Sequence, residues 1–184
     1  MNPQTIPYQQ NGAPTFNFAN KLAQSQKDAT LPRWELAYQQ YFHDMVNLYN
    51  TDTTNKGLSL QSQGVDHIVA TPYQLYFIDF ILIEKPYPNV FVEYEVNGNA
   101  GKFMKTNQLC THIAYSHRPH STVQIFEFDE MHTFLKQSLF LESFETKTAQ
   151  SSKDGRSYEA KGLIIPTSAV RENLPSYEMI FIEG

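Results

Sequence analysis

The chain has 184 residues, 41% of them hydrophobic and 14% aromatic, with a formal net charge of -5. That length and aromatic content exclude wholesale disorder and fit one domain with a real core. The acidic balance argues against a protein that grips nucleic acid mainly by neutralising phosphates, and it suits a basic protein partner equally well.

Residues 1–31 are rich in Gln, Asn, Pro and Ala and carry no sustained period, so they read as a flexible N-terminal arm. They also lack the basic-then-apolar order of a signal peptide. A first helix is expected over 32–49. Pro32 suits its first turn, and Trp34, Ala37, Tyr38, Tyr41, Phe42, Met45, Leu48 and Tyr49 recur at helical spacing. The following TDTTNKG reads as a loop. Strands are expected over 65–71, 75–84, 89–97, 111–116 and 122–128, all rich in β-branched or aromatic residues. Residues 98–110 read as a loop. A second helix is expected over 129–144 with Asp129 as its N-cap, then a loop through TAQSSKDGRSYE. A short strand over 162–165, a turn or short helix over 167–174 and a last strand over 177–182 complete the chain. The order predicts an α/β domain over 32–184 with a central mixed sheet flanked by helices. Its core falls at about 58–144, and 145–184 form a C-terminal extension. The one cysteine, Cys110, cannot form an internal disulfide, and the apolar run at 75–83 is interrupted by Asp79. Both features fit a cytoplasmic protein with no membrane span.

Acids inside apolar strands call for a cause, because an unpaired buried carboxylate costs several kcal/mol. Asp66 follows Gly64 at a strand start, Asp79 lies mid-strand, and Glu93 and Glu95 alternate with Val92, Tyr94 and Val96. On a regular strand Glu93 and Glu95 share a face. Convergence of Asp66, Asp79 and Glu95 makes an oxygen-rich site suited to Mg²⁺ or Mn²⁺. The bland readings are a turn residue for Asp66, an edge-strand charge for Asp79 and a solvated face for Glu93 and Glu95. His112, His117 and His120 lack a second ligand cluster and read as surface residues.

The strings LQSQGVDHIV, YFIDFILI, VFVEYEV, GKF and THIAY resemble, in order and spacing, the phage and mobile-element branch of PD-(D/E)XK (restriction-endonuclease-like) nucleases. Leu60, Gln61, Gly64, Val65 and Asp66 match its first string. Ile78 and Asp79 match the second and Glu95 the third. Gly101 and Phe103 match part of the fourth, and Thr111 and Tyr115 match the last. The resemblance implies a restriction-endonuclease-like core, catalytic and metal-holding roles for Asp66, Asp79 and Glu95, and Mg²⁺ or Mn²⁺ as cofactor. Where that family carries D-E-K, this chain has Asp79-Phe80-Ile81, so the lysine position is apolar. Lys85 shares the strand parity of Asp79 but lies roughly 20 Å along an extended strand. Lys102 or Lys105 could swing in from the next loop instead. Gln61, Lys102, Lys105 and Arg118 are candidate contacts to nucleic acid or a partner.

Three functions follow. The first is a catalytically degenerate nuclease-fold protein of phage or mobile-element origin that acts by binding, as an inhibitor of a host restriction or CRISPR-type system. The second is an active Mg²⁺- or Mn²⁺-dependent endonuclease with a relocated lysine. The third is a nucleic-acid binding module that does not cut.

Overall fold

Strand β6, His112–His117, is buried at all six positions and lies at the centre of the fold. A strand covered on both faces needs a layer on each side, and the chain supplies them. The computed structural model describes residues 24, 27–51, 54–83, 88–105, 108–117, 121–153 and 156–182. The strands in chain order are β1 Asn47–Asn50, β2 His67–Ala70, β3 Leu75–Ile83, β4 Asn89–Val96, β5 Asn99–Ala100, β6, β7 Thr122–Glu127, β8 Glu145–Lys153, β9 Arg156–Pro166 and β10 Glu178–Phe181. The helices are α1 Pro32–Tyr41, α2 Asn55–Ser62, α3 Phe128–Phe140 and α4 Thr167–Asn173, with a 3-10 turn at Lys102–Met104.

The central six-stranded sheet has the order β1-β2-β3-β6-β7-β10, and a second, four-stranded sheet has the order β5-β4-β9-β8. The β3–β6 pair is parallel and the other described pairs are antiparallel. The fold is thus α/β, with a central mixed sheet flanked by helices. Side-chain alternation sorts the core into two parts. Tyr76, Ile78, Phe80 and Leu82 of β3 and Ala114 of β6 pack with Trp34 and Tyr38 of α1 and with Phe42 just after it. Ile81, Ile83, Ile113 and Tyr115 face the other way, toward Val90 and Val92 of β4, Leu163 and Ile165 of β9 and Met131 and Leu135 of α3. Asp79 has the parity of this second set.

The first helix ends at Tyr41, not at residue 49. Phe42 leaves helical dihedrals, and Asn47–Asn50 pairs with His67–Ala70 as an edge strand. The 3.6 period carried on past the helix because an edge strand half-buries apolar residues as well. Inside the expected TDTTNKG loop, Thr54 caps α2 by accepting the Gly57 N–H. The expected loop TAQSSKDGRSYE, residues 148–159, falls in the β8–β9 hairpin, whose polar sequence gave no strand signal. Helix α3 begins at Phe128 with Glu127 at its N-cap, so Asp129 lies in the first turn, where it favours the helix dipole. The C-terminal stretch is built into both sheets: β9 pairs with β4, and β10 with β7. Of the N-terminal arm, residues 1–23, 25 and 26 lie outside the described residues, while Asp28 and Ala29 accept hydrogen bonds from core rings, Trp34 Nε1 and His67 Nε2. Among the described residues no helix is long and apolar enough to cross a membrane.

Candidate functional site

The local sequence LQSQGVD delivers Asp66 by helix termination. After α2, Gly64 takes φ +76, its N–H donates to the Gln61 carbonyl, and the Val65 N–H donates to the Leu60 carbonyl. This pair of bonds is a Schellman cap with glycine at its left-handed position. The chain then enters the central sheet with Asp66, whose N–H donates to the Ile78 carbonyl. The Asp66 carbonyl accepts from the Thr51 N–H and hydroxyl, and Gln61 Nε2 donates to Thr51 Oγ1 at 3.1 Å. Gln61 therefore braces the residue that braces Asp66.

Asp66 and Asp79 meet across the β2–β3 entry. The Asp66 carboxylate accepts the Phe80 N–H at 3.3 Å and is hydrogen-bonded to the Asp79 carboxyl. Burial, then the neighbouring Asp79 charge, push Asp66 up to about 8. The two buried carboxyls together retain a proton more readily than an isolated carboxylate does. The Asp79 side chain is only 3% exposed, and its second partner is the Lys102 ammonium, with which it forms an ion pair. Burial draws the lysine down, but the Asp79 charge and hydrogen bond and the Asp66 charge outweigh it and hold Lys102 above the ordinary lysine range. Lys102 is 32% exposed and forms part of the wall of a polar cavity of ≈ 460 Å³.

Gln61, Gly64, Glu93, Lys105 and Gln108 line that cavity with Lys102. Asn97 and Asn99 of the β4–β5 hairpin complete it. Positive φ at Asn97 and Gly98 makes this tip a tight Asn-Gly turn, and the Asn97 side chain and backbone clamp it to Glu159 of β9. The Gln108 carbonyl oxygen is buried and has no hydrogen-bond partner among the described residues.

The structure thus joins Asp66, Asp79 and Lys102, and brings Gln61 and Lys105 to the same cavity. It does not bring Glu95 there. The β4–β9 register shifts between Glu93 and Glu95, which marks a bulge, so the two no longer share a face. Glu95 pairs with Lys161 at 2.7 Å near the surface of the second sheet, while Glu93 lines the cavity. Sequence alternation could not show this, because the bulge lies where the Gly101 backbone comes up against Tyr94 and Glu95, a contact between elements. Arg118 and His120 lie outside the described residues. His112 and His117, expected on the surface, are buried. His112 stands among Tyr41, Phe42 and Tyr76 on the α1 side of the sheet, and burial lowers it to about 4. It contributes no positive charge to the cavity. Among the described residues no three His, Cys, Asp or Glu side chains are grouped to hold a metal ion by themselves. No protein-family model, curated protein or solved structure matches the chain.

Proposed function

We propose that the chain is a Mg²⁺- or Mn²⁺-dependent endonuclease with a restriction-endonuclease-like core, its lysine supplied by Lys102 from the turn after β5. The observation that carries this reading is the Lys102–Asp79 ion pair beside Asp66 at the edge of a polar cavity. The apolar Ile81 in the usual lysine position then has a compensating partner from another element.

The donor set fits a hard divalent ion. Two adjacent carboxyl groups repel each other strongly enough that one retains its proton, so the pair favours added positive charge. Mg²⁺ needs only one or two carboxylates and completes its shell with water and substrate phosphate, so the lack of a third protein ligand is no obstacle. Asp66 and Asp79 would hold the ion, which when bound polarises a phosphate oxygen and makes water more acidic. The chain's own groups do the rest. Lys102 offsets charge that develops on the phosphate, and Lys105 at the cavity edge attracts the flanking backbone.

The test is cleavage. Plasmid DNA, single-stranded DNA and RNA are each incubated with the protein and Mn²⁺. Cutting that disappears in Asp66→Ala, Asp79→Ala and Lys102→Met supports the reading, and intact substrates across metals and pH refute it.

A second reading is favoured by the same ion pair, since an ammonium seated on Asp79 already neutralises the acid pair from within. The chain would then be a nuclease-like scaffold that binds without hydrolysis, its partner nucleic acid or a protein of a host defence system. Salt-sensitive nucleic-acid binding, or a stable complex with such a protein, without cutting in any metal would single it out.

A further inference from the structure

We infer that Gln108 is a positioning residue: its bare carbonyl oxygen receives the Lys102 ammonium when that group leaves Asp79. The inference deepens the endonuclease reading and rests on it.

Gln108 Oε1 is buried and unpartnered among the described residues, and the residue is part of the cavity wall. A buried amide oxygen without a donor costs free energy unless something reaches it in another state of the protein. The missing Cβ of Gly64 shows what is near. A β-carbon there would stand 2.8 Å from Gln108 Oε1 and 3.4 Å from Lys102 Cε. The acceptor and the lysine stem therefore both border the position that a side chain at residue 64 would take. The ammonium is one bond beyond Cε, so a change in the last side-chain torsions carries it from Asp79 toward Gln108.

The need for such a place follows from charge. Lys102 and a divalent ion both require Asp79. With the carboxylates engaged by an ion, the ammonium has to withdraw, yet it must stay beside the cavity to act on a phosphate. An amide oxygen suits that purpose, because it accepts from an ammonium but is neutral and releases it more readily than a carboxylate.

The experiment measures Mn²⁺ affinity by electron paramagnetic resonance of the free ion, checked by calorimetry, in four proteins. These are the wild type, Gln108→Met, Lys102→Met and the double variant. Gln108→Met keeps the side-chain length and removes an unsatisfied oxygen, so it should fold; thermal unfolding checks this, with Gln108→Leu as a second variant. The expected result is a loss of about tenfold in Mn²⁺ affinity on Gln108→Met, the worth of one charge-assisted hydrogen bond. In the Lys102→Met background the same change should have no effect, because the group to be received is gone. A Gln108→Met protein with wild-type affinity, or an equal loss in both backgrounds, overturns the role of Gln108 and leaves the endonuclease reading intact. A wild type that binds no Mn²⁺ at all overturns both.

Discussion

Gly101 lies against Glu95 so closely that a β-carbon on it would stand 2.8 Å from the Glu95 backbone nitrogen. The same atom would come within 2.7 Å of the Tyr94 carbonyl carbon, and both neighbours are backbone, so neither can turn aside. The Gly101 N–H also donates to the Tyr94 carbonyl at 2.8 Å. This contact fixes where the 3-10 turn begins, and so where Lys102 can reach. Gly101→Ala is expected to cost about 1–3 kcal/mol by overpacking and to slow cleavage by moving Lys102. Urea unfolding and initial rates measure the two effects. An alanine variant with unchanged stability and rate would mean that the turn is positioned by something else.

Lys102→Met should damage chemistry and stability by different amounts. Loss of one group that stabilises developing charge lowers rates roughly 10²–10³-fold. Loss of the counter-ion of a buried carboxylate costs roughly 3–5 kcal/mol when both partners are buried. Lys102 is 32% exposed, so solvent screening reduces the expected cost to about 2 kcal/mol. Lys102→Arg keeps the charge on a broader group that fits the Gly64 corner poorly, so it should recover most of the stability and little of the rate. An arginine variant that cuts at the wild-type rate would count against a positioned ammonium.

The strands β3, β4, β6 and β7 were legible in the sequence as β-branched and aromatic runs, but that β4 leaves the central sheet for a second one was not. The Asp66 and Asp79 pairing was legible, since a carboxylate in an apolar strand needs a partner. Lys102 was visible as a candidate, but its contact depends on a glycine touching a bulge two elements away, which no local pattern encodes. The same holds for Glu93 against Glu95, where one extra residue exchanges which acid faces the cavity. His112 and His117 look polar in sequence. Their burial is set by rings from Tyr41, Phe42 and Tyr76 around one and by Tyr115 beside the other.

Stability of the metal-free protein should pass through a maximum near neutral pH. Asp66 is raised to about 8, so its contribution is complete below the unfolded aspartate range and is lost as pH rises toward 8. His67 and His112 are each lowered to about 4 by burial, so theirs is present above the unfolded histidine value and is lost as pH falls toward 4. Between about pH 4 and 6.5 two histidines outweigh one aspartate and stability rises with pH; between about 6.5 and 8 Asp66 dominates and stability falls, and beyond that the Cys110 thiol, pushed up by burial, continues the fall. Asp66→Asn should remove the fall between about pH 6.5 and 8 and raise the melting temperature at pH 8, while abolishing cleavage. Thermal scans from pH 4 to 9 decide this, and an Asp66→Asn curve parallel to the wild type would show that Asp66 is not the group that titrates.

His67 ties the segment before α1 to the sheet, and its removal should be felt at a distance. The Tyr38 hydroxyl donates to Nδ1 at 2.8 Å, and Nε2 donates to the Ala29 carbonyl at 3.0 Å, which requires the neutral ring that burial enforces. Phe80 stacks on one side of the ring at 5.0 Å. His67→Leu keeps the apolar volume but strands a fully buried tyrosine hydroxyl and frees the Ala29 carbonyl, at a cost of roughly 2–4 kcal/mol for two lost partners. The loss is local before it is global, because the segment at Asp28 and Ala29 pairs with no strand and is tied down through these side-chain bonds, so its opening costs less than unfolding of the sheet. Trypsin should therefore cut after Lys27 faster in His67→Leu than in the wild type, at temperatures where both keep the same far-ultraviolet dichroism. His67→Gln, which can still offer a donor toward Ala29, should fall between the two. Equal cutting rates in all three proteins would show that Trp34, through its bond to the Asp28 carbonyl, holds the segment without help from His67.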